Sequence, residues 1–442
     1  MHEHAAFQEG DSGSLRKTRI RYHQSCRIRA FRLAGKLRKA MAYARCDVAI
    51  LGAGVNGTSI AYELSKRGKK VLLIDKIVMG AGASGSCDDM ILLQSKKPGI
   101  LLEMAFKSLE RFESLKDELP ADIEFETRGG TILIEDEEHL AIMEDFVASQ
   151  NRYGLEVEII DRKRLLQLQP LVAEDIIAST YSARDSQVNP MLLMKAFLLG
   201  ARQKGLEFLS RTRAVEMKRL DSGWELLLDS GDRVEAEVVV NAAGAWANEI
   251  TKLVGFEVPI TPRKGQVIVT EAIPPLGATN VWSAQYIVSK LKPHEPAISR
   301  PDGRAAVQTP AERFGLGFAF TGTHNGNYLI GSTRENRGFD KSTDPEAIGL
   351  LSAQVERFFP VMSKINFIRT FAGLRPSTPD GMPFLGEIPG APGFFIAAGH
   401  EGDGIALSPI TGLVMADLIT GKKPEFPMKA FDPGRFCGKG GV

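Results

Sequence analysis

The sequence predicts an α/β fold in which a doubly wound, Rossmann-like domain alternates along the chain with a second domain rich in β-strands. Three observations support this. A glycine-rich turn between a strand and a helix lies near residue 52, and a similar strand–glycine–helix unit lies near residue 400. Strand-like segments dominate residues 126–179 and 259–330 between them.

The first unit spans residues 46–75. An apolar strand at residues 48–51 runs directly into 52–57, G-A-G-V-N-G, and a helix and a second buried strand follow. In a G-x-G-x-x-G turn the first glycine makes the turn, the second admits a pyrophosphate and the third lets helix and strand pack closely. Asp75 stands about 20 residues on, where a carboxylate binds a ribose. The alternative is a purely structural turn, and the motif alone does not separate NAD from FAD.

Composition narrows the class of protein. The 442 residues are 43% hydrophobic and 25% charged, enough for two or more cores and unlike a disordered chain. No run of 18 apolar residues and no apolar secretory leader occurs, so we expect a cytoplasmic protein without a transmembrane segment. The four cysteines are scattered with no C-x-x-C pair, which argues against a bound metal and against disulfides.

Positive charge is concentrated in residues 1–45. This segment has eleven Lys and Arg against three Asp and Glu, a net charge of +8, which leaves −7 for the rest. Such a tail fits nucleic acid, an anionic membrane or a transit peptide. We favour an unstructured upstream extension, because Met41 precedes the first strand by few residues, and we expect no nucleic-acid partner.

After the first unit, the chain alternates between loops rich in small residues, helices and strands. Residues 80–89 form a loop rich in glycine and serine, and residues 101–119 an amphipathic helix. A strand pair at 224–228 and 233–237 flanks a polar turn, and the apolar run 238–240 ends in small residues that allow close approach of a cofactor. At the C-terminal end, a strand at 394–398 and a glycine turn precede a helix that Pro409 is expected to break.

Together these motifs resemble the D-amino-acid oxidase superfamily. The resemblance covers residues 46–423 and rests on 52–57 with Asp75, 80–86, 241–246, 373–376 with 378–383, and 399–404 followed by Pro409 and Gly412. It implies noncovalent FAD and an FAD-binding domain made of residues 46–125, 180–258 and 368–425. It also implies an α+β substrate domain on a mixed sheet, made of residues 126–179 and 259–367, and hydride transfer from an amine or amino acid to the flavin.

The resemblance also implies the cofactor contacts. The expected positions are Gly52, Gly54, Val55, Asn56, Gly57, Asp75, Lys76, Ala83, Ser84, Ser86, Val215, Ala242, Ala243, Gly244, Trp246, Arg375, Gly399, His400, Glu401, Gly402, Asp403, Gly404 and Ile405. Cys87 is not expected to attach the flavin, because neighbouring carboxylates raise the pKa of a thiol.

Four residues are catalytic candidates. Arg375 is expected to clamp a substrate carboxylate, with a structural ion pair or a flavin contact as the alternative. His400 either faces the flavin or only shapes the turn. Tyr286 and Arg334 lie where substrate contacts arise, or are ordinary scaffold residues.

Two departures from the superfamily bear on the electron acceptor. The turn at 321–326 lacks the arginine expected of glycine-oxidase-like members, and residues 328–331 lack the oxygen-activating lysine of sarcosine oxidases. We therefore expect a dehydrogenase that oxidises a D-amino acid, imino acid, N-alkyl amino acid or opine and passes electrons to a partner. The alternatives are a 2-hydroxyacid or glycerol-phosphate dehydrogenase of related fold, and a non-catalytic flavin-binding subunit.

Overall fold

A computed structural model describes residues 43–291 and 308–437. Their helices span Val55–Lys66, Ile100–Glu118, Glu137–Arg152, Arg162–Leu168, Pro190–Arg202, Ala247–Thr251, Ala284–Leu291, Pro310–Phe314, Pro345–Phe358 and Gly404–Ile419. The prediction for the basic segment 1–45 falls almost entirely outside the described residues. Within the described ranges, no helix is both long and apolar enough to cross a membrane.

The described strands are numbered in chain order. They are β1 (Tyr43–Leu51), β2 (Val71–Asp75), β3 (Met90–Ile91), β4 (Gly130–Ile134), β5 (Glu158–Asp161), β6 (Ala178–Ser182), β7 (Ser186–Gln187), β8 (Glu207–Ser210), β9 (Ala214–Leu220), β10 (Gly223–Leu228), β11 (Arg233–Asn241), β12 (Thr261–Thr270), β13 (Asn280–Ser283), β14 (Ala319–Gly322), β15 (Tyr328–Gly331), β16 (Phe367–Ser377), β17 (Phe384–Glu387) and β18 (Phe394–Ala398).

The first sheet has the order β17-β18-β11-β1-β2-β8, with β10 and β9 attached to β11. Strand β2 runs parallel to both β1 and β8, and β11 runs parallel to β18. Both faces of β1 are covered, because Val48 and Ile50 belong to one core and Ala49 and Leu51 to another. This burial on two faces explains the continuous apolar run in the sequence.

Helices cover one face of this sheet. Val55–Lys66, Ile100–Glu118, Pro190–Arg202 and Gly404–Ile419 contribute to the core that includes Val48 and Ile50. The meander β9-β10-β11 contributes to the opposite core. The hairpin predicted at 224–237 is confirmed, with Trp224 opposite Ala236, but β9 adds a third strand that the sequence analysis did not assign.

The second sheet is mixed and has the order β16-β12-β15-β14-β13-β4-β6-β5. Neighbouring strands in this sheet run antiparallel to each other, except β13 and β4, which run parallel. The helix Pro345–Phe358 packs on one face through Leu351 and Val355, and Glu137–Arg152 packs on the other through Met143. The predicted fold class, a doubly wound domain interleaved with a domain on a mixed sheet, is confirmed.

Two segments assigned from sequence to the FAD-binding domain lie in strands of the second sheet. Residues 368–377 were assigned from sequence to the FAD-binding domain, yet they lie in β16 of the second sheet, and residues 180–182 lie in β6 of the same sheet. Both segments belong to strands that continue past the expected boundaries. The domain boundaries themselves stay a prediction.

The helix expected to break at Pro409 is continuous from Gly404 to Ile419, so that prediction was wrong. A proline inside a helix leaves the carbonyl four residues earlier without its usual donor. Here the Ser408 hydroxyl donates to the Ile405 carbonyl oxygen at 2.9 Å, and that bond replaces the missing one. The helix therefore passes through the proline.

Candidate active site

The glycine turns of the first sheet open into a cavity of about 500 Å³, which reaches the second sheet at β12 and β16. This volume lies within the range of small-molecule and cofactor sites. Almost all the predicted cofactor positions line it: Gly52, Gly54, Val55, Asn56, Asp75, Lys76, Ala83, Ser84, Ser86, Val215, Ala242, Ala243, Gly244, Trp246, Arg375, Gly399, His400, Glu401, Gly402, Gly404 and Ile405. The structure thus brings together residues separated by more than 300 positions.

The first glycine turn has the backbone that its motif requires. Gly52 has φ +112°, and an added Cβ would lie 2.5 Å from the Ala242 carbonyl oxygen. A Cβ on Gly57 would overlap the Gly52 carbonyl oxygen, so this glycine lets the helix approach the strand and does not line the cavity. A Cβ on Gly54 would point to the Ser84 hydroxyl at 3.2 Å, on the cavity side of the turn.

Asp75 ties the end of β2 to this turn. Its Oδ2 accepts a hydrogen bond from the Ala53 amide and its Oδ1 accepts one from the Ile77 amide, each at 2.8 Å. An ionised carboxylate accepts more than two hydrogen bonds, so Asp75 keeps capacity for ribose hydroxyls. Next to it, the Lys76 ammonium lies 4.0 Å from the centre of the Trp246 ring, and burial lowers the lysine pKa.

Two helices begin at the cavity. The helix Val55–Lys66 begins after Gly54 and the helix Gly404–Ile419 begins after Asp403, and neither N-cap side chain accepts a hydrogen bond from its own helix. The Val55 amide donates to the Ser84 hydroxyl at 3.1 Å. Val55, Asn56, Gly404 and Ile405, at the starts of these helices, line the cavity. Amide groups and helix dipoles at two N-termini make this wall favourable to phosphate and to other anionic groups.

His400 connects these two helices. Its Nδ1 accepts a hydrogen bond from Asn56 Nδ2, and its Nε2 donates to Thr411 Oγ1, both at 3.0 Å, in the neutral tautomer that fits both contacts. Burial lowers the pKa of His400 to about 4, which keeps the ring neutral near pH 7. The contacts favour the structural alternative for His400 over a proton-transfer role.

Asn56 also offers an atom to a ligand. Its Oδ1 is buried and has no hydrogen-bond partner among the residues described. A buried acceptor without a donor is costly in a folded protein, so the cavity wall fits a guest that carries hydroxyl or amide donors. Two helix N-termini, a carboxylate with further acceptor capacity and an acceptor without a partner among the described residues together fit the chemistry of FAD.

Arg375 lies on β16, where the cavity reaches the second sheet. Its Nη1 donates to the Thr333 carbonyl oxygen at 2.9 Å and its Nη2 donates to the Ser332 hydroxyl at 2.7 Å. The guanidinium lies against the backbone of Gly265 on β12, where any Cβ would overlap it. Burial lowers the pKa of Arg375, but a guanidinium stays charged in proteins.

Of the other candidate residues, some line the cavity and some lie outside its lining. Tyr286 lines the cavity, whereas Arg334 does not and lies behind it, with its guanidinium carbon 4.1 Å from the centre of the Tyr286 ring. Asp403 likewise lies outside the cavity lining, because its carboxylate pairs with the buried ammonium of Lys96 at 2.9 Å. Glu401 lines the cavity and pairs with Arg263 at 3.0 Å.

Several residues that line the cavity were not predicted from the sequence to belong to the site. Ser332 holds Arg375, Gly265 makes room for it, and Asp88 lies on the wall of the same cavity. Cys87 also lines the cavity, and burial together with Asp89 and Asp88 raises the pKa of its thiol. In the sequence, Asp88 stands out only as one of the carboxylates next to Cys87, and no local motif marks Ser332 or Gly265.

Comparison with known proteins agrees with this geometry. Glycine oxidase of Geobacillus kaustophilus is 31% identical over 408 residues, covering 90% of this chain and 99% of the relative. The hydrogen cyanide synthase subunit HcnC of Pseudomonas aeruginosa is 29% identical, covering 88% and 96%. The crystal structure of the Geobacillus glycine oxidase superposes with a TM-score of 0.77 at 28% identity, over 89% of this chain and 99% of the other.

The family comparison covers most of the chain. Residues 47–418 match the family described as "DAO: FAD dependent oxidoreductase". The match runs from β1 through the helix that ends at Ile419, so it includes both glycine turns and the strand that carries Arg375. The chain therefore belongs to the DAO family of FAD-dependent oxidoreductases.

Proposed function

We propose that the protein oxidises an amine that bears a carboxylate, such as a D-amino acid, a cyclic imino acid, an N-alkyl amino acid or an opine. The observation that carries this proposal is the position of Arg375. Arg375 lines the same cavity as the two helix N-termini, and its guanidinium donates hydrogen bonds to the Thr333 carbonyl oxygen and the Ser332 hydroxyl. Bound FAD would accept the hydride that the substrate α-carbon loses.

The residues around Arg375 orient the substrate. With two N–H groups engaged by the protein, the guanidinium is fixed in place and keeps further donors for a carboxylate. Holding the carboxylate fixes the attached α-carbon, and such positioning supplies much of the rate in transfer reactions. Tyr286 forms a side wall, and the Arg334 guanidinium stacked behind it keeps the ring in place.

The relatives support the choice of an amine. This chain covers nearly the full length of the glycine oxidase and of the HcnC subunit named above. A carboxylate clamp alone serves 2-hydroxy acids equally well, so the clamp does not decide between the two substrate classes. We favour amines because one relative, 31% identical and matched over nearly its full length, is a glycine oxidase.

We further propose that the reduced flavin passes its electrons to a partner and reacts slowly with oxygen. The support is that β15, Tyr328–Gly331, contains no lysine and all four of its residues are buried. A buried lysine does occur on the neighbouring strand β12, where the Lys264 ammonium pairs with Asp340 at 2.7 Å. Lys264 does not line the cavity, so its charge is used in the scaffold.

The test is anaerobic bleaching of the flavin. Purified, flavin-loaded protein is mixed without oxygen with amino acids, imino acids, N-alkyl amino acids and opines, and in parallel with 2-hydroxy acids and glycerol phosphate. We expect at least one carboxylate-bearing amine to bleach the yellow colour. Bleaching by hydroxy compounds alone would establish the related-fold alternative, and no bleaching across the panel would establish a non-catalytic flavin-binding subunit.

A further inference from the structure

Asp88 brings a carboxylate into the cavity. It follows Ser86 and Cys87 in the loop after the glycine–serine segment, and all three residues line the cavity. Arg375 lines the same cavity with the opposite charge. Where a carboxylate and a guanidinium line the same part of a cavity, they provide the charge pattern that complements a small zwitterion.

Packing brings residues 80–89, here called the Asp88 loop, next to the strand that carries Arg375. Gly373 on β16 lies so close to Ser86 that an added Cβ would overlap the Ser86 carbonyl oxygen. Along a strand, side chains two residues apart share a face, so Arg375 follows Gly373 on the face that meets the loop. Asp88 lies two residues beyond Ser86 in that loop. Its charge also acts on Arg375, since it opposes the lowering of the guanidinium pKa by burial.

The Asp88 loop is anchored on its C-terminal side. Strand β3 begins at Met90, which pairs with Gln187 on β7, and the Val188 amide donates to the Asp89 carbonyl oxygen at 3.0 Å. Asp89 has φ +61° and does not line the cavity. The strand pairing and this hydrogen bond fix the backbone immediately after Asp88, as a recognition group requires.

We propose that Asp88 binds the amino nitrogen of the substrate while Arg375 binds its carboxylate. This inference rests on the proposed oxidation of amines and names the group that selects them. In an amino acid the ammonium and the carboxylate are one carbon apart, whereas a 2-hydroxy acid has a neutral hydroxyl at the same place. The fixed charge of Asp88 therefore favours the amino acid over its hydroxy analogue, which Arg375 alone does not.

A matched pair of ligands tests this without turnover. Neither 2-aminoisobutyrate nor 2-hydroxyisobutyrate has a hydrogen on its α-carbon, so neither can lose a hydride, and they differ only in the amino or hydroxyl group. Dissociation constants are measured by titration calorimetry and by the change in the flavin absorption spectrum. We expect the flavin-loaded wild-type protein to bind the amino compound roughly tenfold or more tightly than the hydroxy compound, because a charge-assisted contact is added.

Three variants complete the experiment. Asp88→Asn, and Asp88→Ser if the first variant loses its flavin, are expected to abolish the preference for the amino ligand. Asp89→Asn makes the same substitution one residue away, at a carboxyl whose pKa burial raises to about 7. It is expected to keep the preference when measured above pH 8, where Asp89 is ionised, because Asp89 lies outside the cavity and asparagine tolerates its backbone conformation. Arg375→Lys is expected to weaken both ligands alike.

Two results would overturn the inference. One is a wild-type protein that binds the two ligands equally or binds neither. The other is an Asp88→Asn variant that weakens both ligands by the same factor, which would show that Asp88 only neutralises Arg375. These outcomes are separate from failure of the proposed function: if amines bleach the flavin but Asp88→Asn keeps the preference, only the role of Asp88 is lost. If no amine bleaches the flavin, the proposal that the protein oxidises amines is wrong.

Discussion

Replacing Arg375 by lysine tests the carboxylate clamp most sharply. The substitution keeps the positive charge but removes the planar fork that pairs with two carboxylate oxygens. In the structure that fork is also held by Thr333 and Ser332. The variant therefore separates the geometry of the guanidinium from its charge.

The expected loss follows from the hydrogen bonds involved. Arg375 uses two N–H groups to hold itself against Thr333 and Ser332 and keeps others for a substrate. A single ammonium cannot make both protein contacts and also grip both carboxylate oxygens. Losing one charge-assisted hydrogen bond costs about 1.5–3 kcal/mol. Since about 1.4 kcal/mol is a factor of ten, kcat/KM should fall roughly 10- to 100-fold.

The assay compares steady-state kinetics, with a dye as electron acceptor, on a carboxylate-bearing amine and on the matching amine without the carboxylate. Arg375→Lys should lose much less on the second substrate, because that substrate gives the fork nothing to hold. Arg369→Lys is the matched control, since Arg369 lies on the same strand but is exposed outside the cavity. Equal losses on both substrates would show that Arg375 supports the flavin or the fold, and the clamp would have to be abandoned.

Three further predictions concern the cofactor, a buried histidine and the acceptor. Gly54→Val should abolish flavin binding because its side chain enters the phosphate end of the cavity, while Asp75→Ala should only weaken it, by roughly 1–3 kcal/mol; full flavin content by absorbance in Gly54→Val would contradict the assignment. Because the folded-state pKa of His400 is lowered to about 4, the unfolded chain takes up its proton first, so stability should fall by roughly 3 kcal/mol as pH drops from 6.5 to 4. Urea unfolding of wild type and His400→Gln checks this, and the same pH dependence in both would refute it. Reduced flavin should be reoxidised faster by dyes than by air in stopped-flow mixing, and oxygen outrunning every dye would exclude a dehydrogenase.

The sequence was sufficient for the parts of the fold that local pattern determines. The turn at 52–57, the strand β2 and the helix Ile100–Glu118, predicted as residues 101–119, are each set by apolar periodicity or by glycine at defined places. The helix Pro345–Phe358 had similar signals, with Asp344 as its N-cap and Pro345 at its first position, but was not assigned. The strand β9 alternates mostly half-buried and exposed residues, so little hydrophobic signal marks it.

The site was predictable where a motif carries it and not where tertiary contacts build it. The glycines and Asp75 follow from spacing, whereas the pairing of Asp403 with Lys96 joins residues 307 positions apart. The hydrogen bonds that make His400 a link between two helices are equally invisible in the sequence. The role proposed for Asp88 depends on the close packing of Gly373 on Ser86, which only three-dimensional contact reveals.

Single-turnover reduction of the flavin by an α-deuterated substrate tests the central claim most directly. The flavin-loaded protein is mixed without oxygen with the amine that bleaches it fastest and, separately, with the same amine carrying deuterium on the α-carbon. If the cavity aligns that carbon with the flavin through Arg375, breaking the C–H bond limits bleaching, and the deuterated amine should reduce the flavin more slowly. Equal rates of bleaching by the two isotopic forms would contradict hydride transfer from the α-carbon.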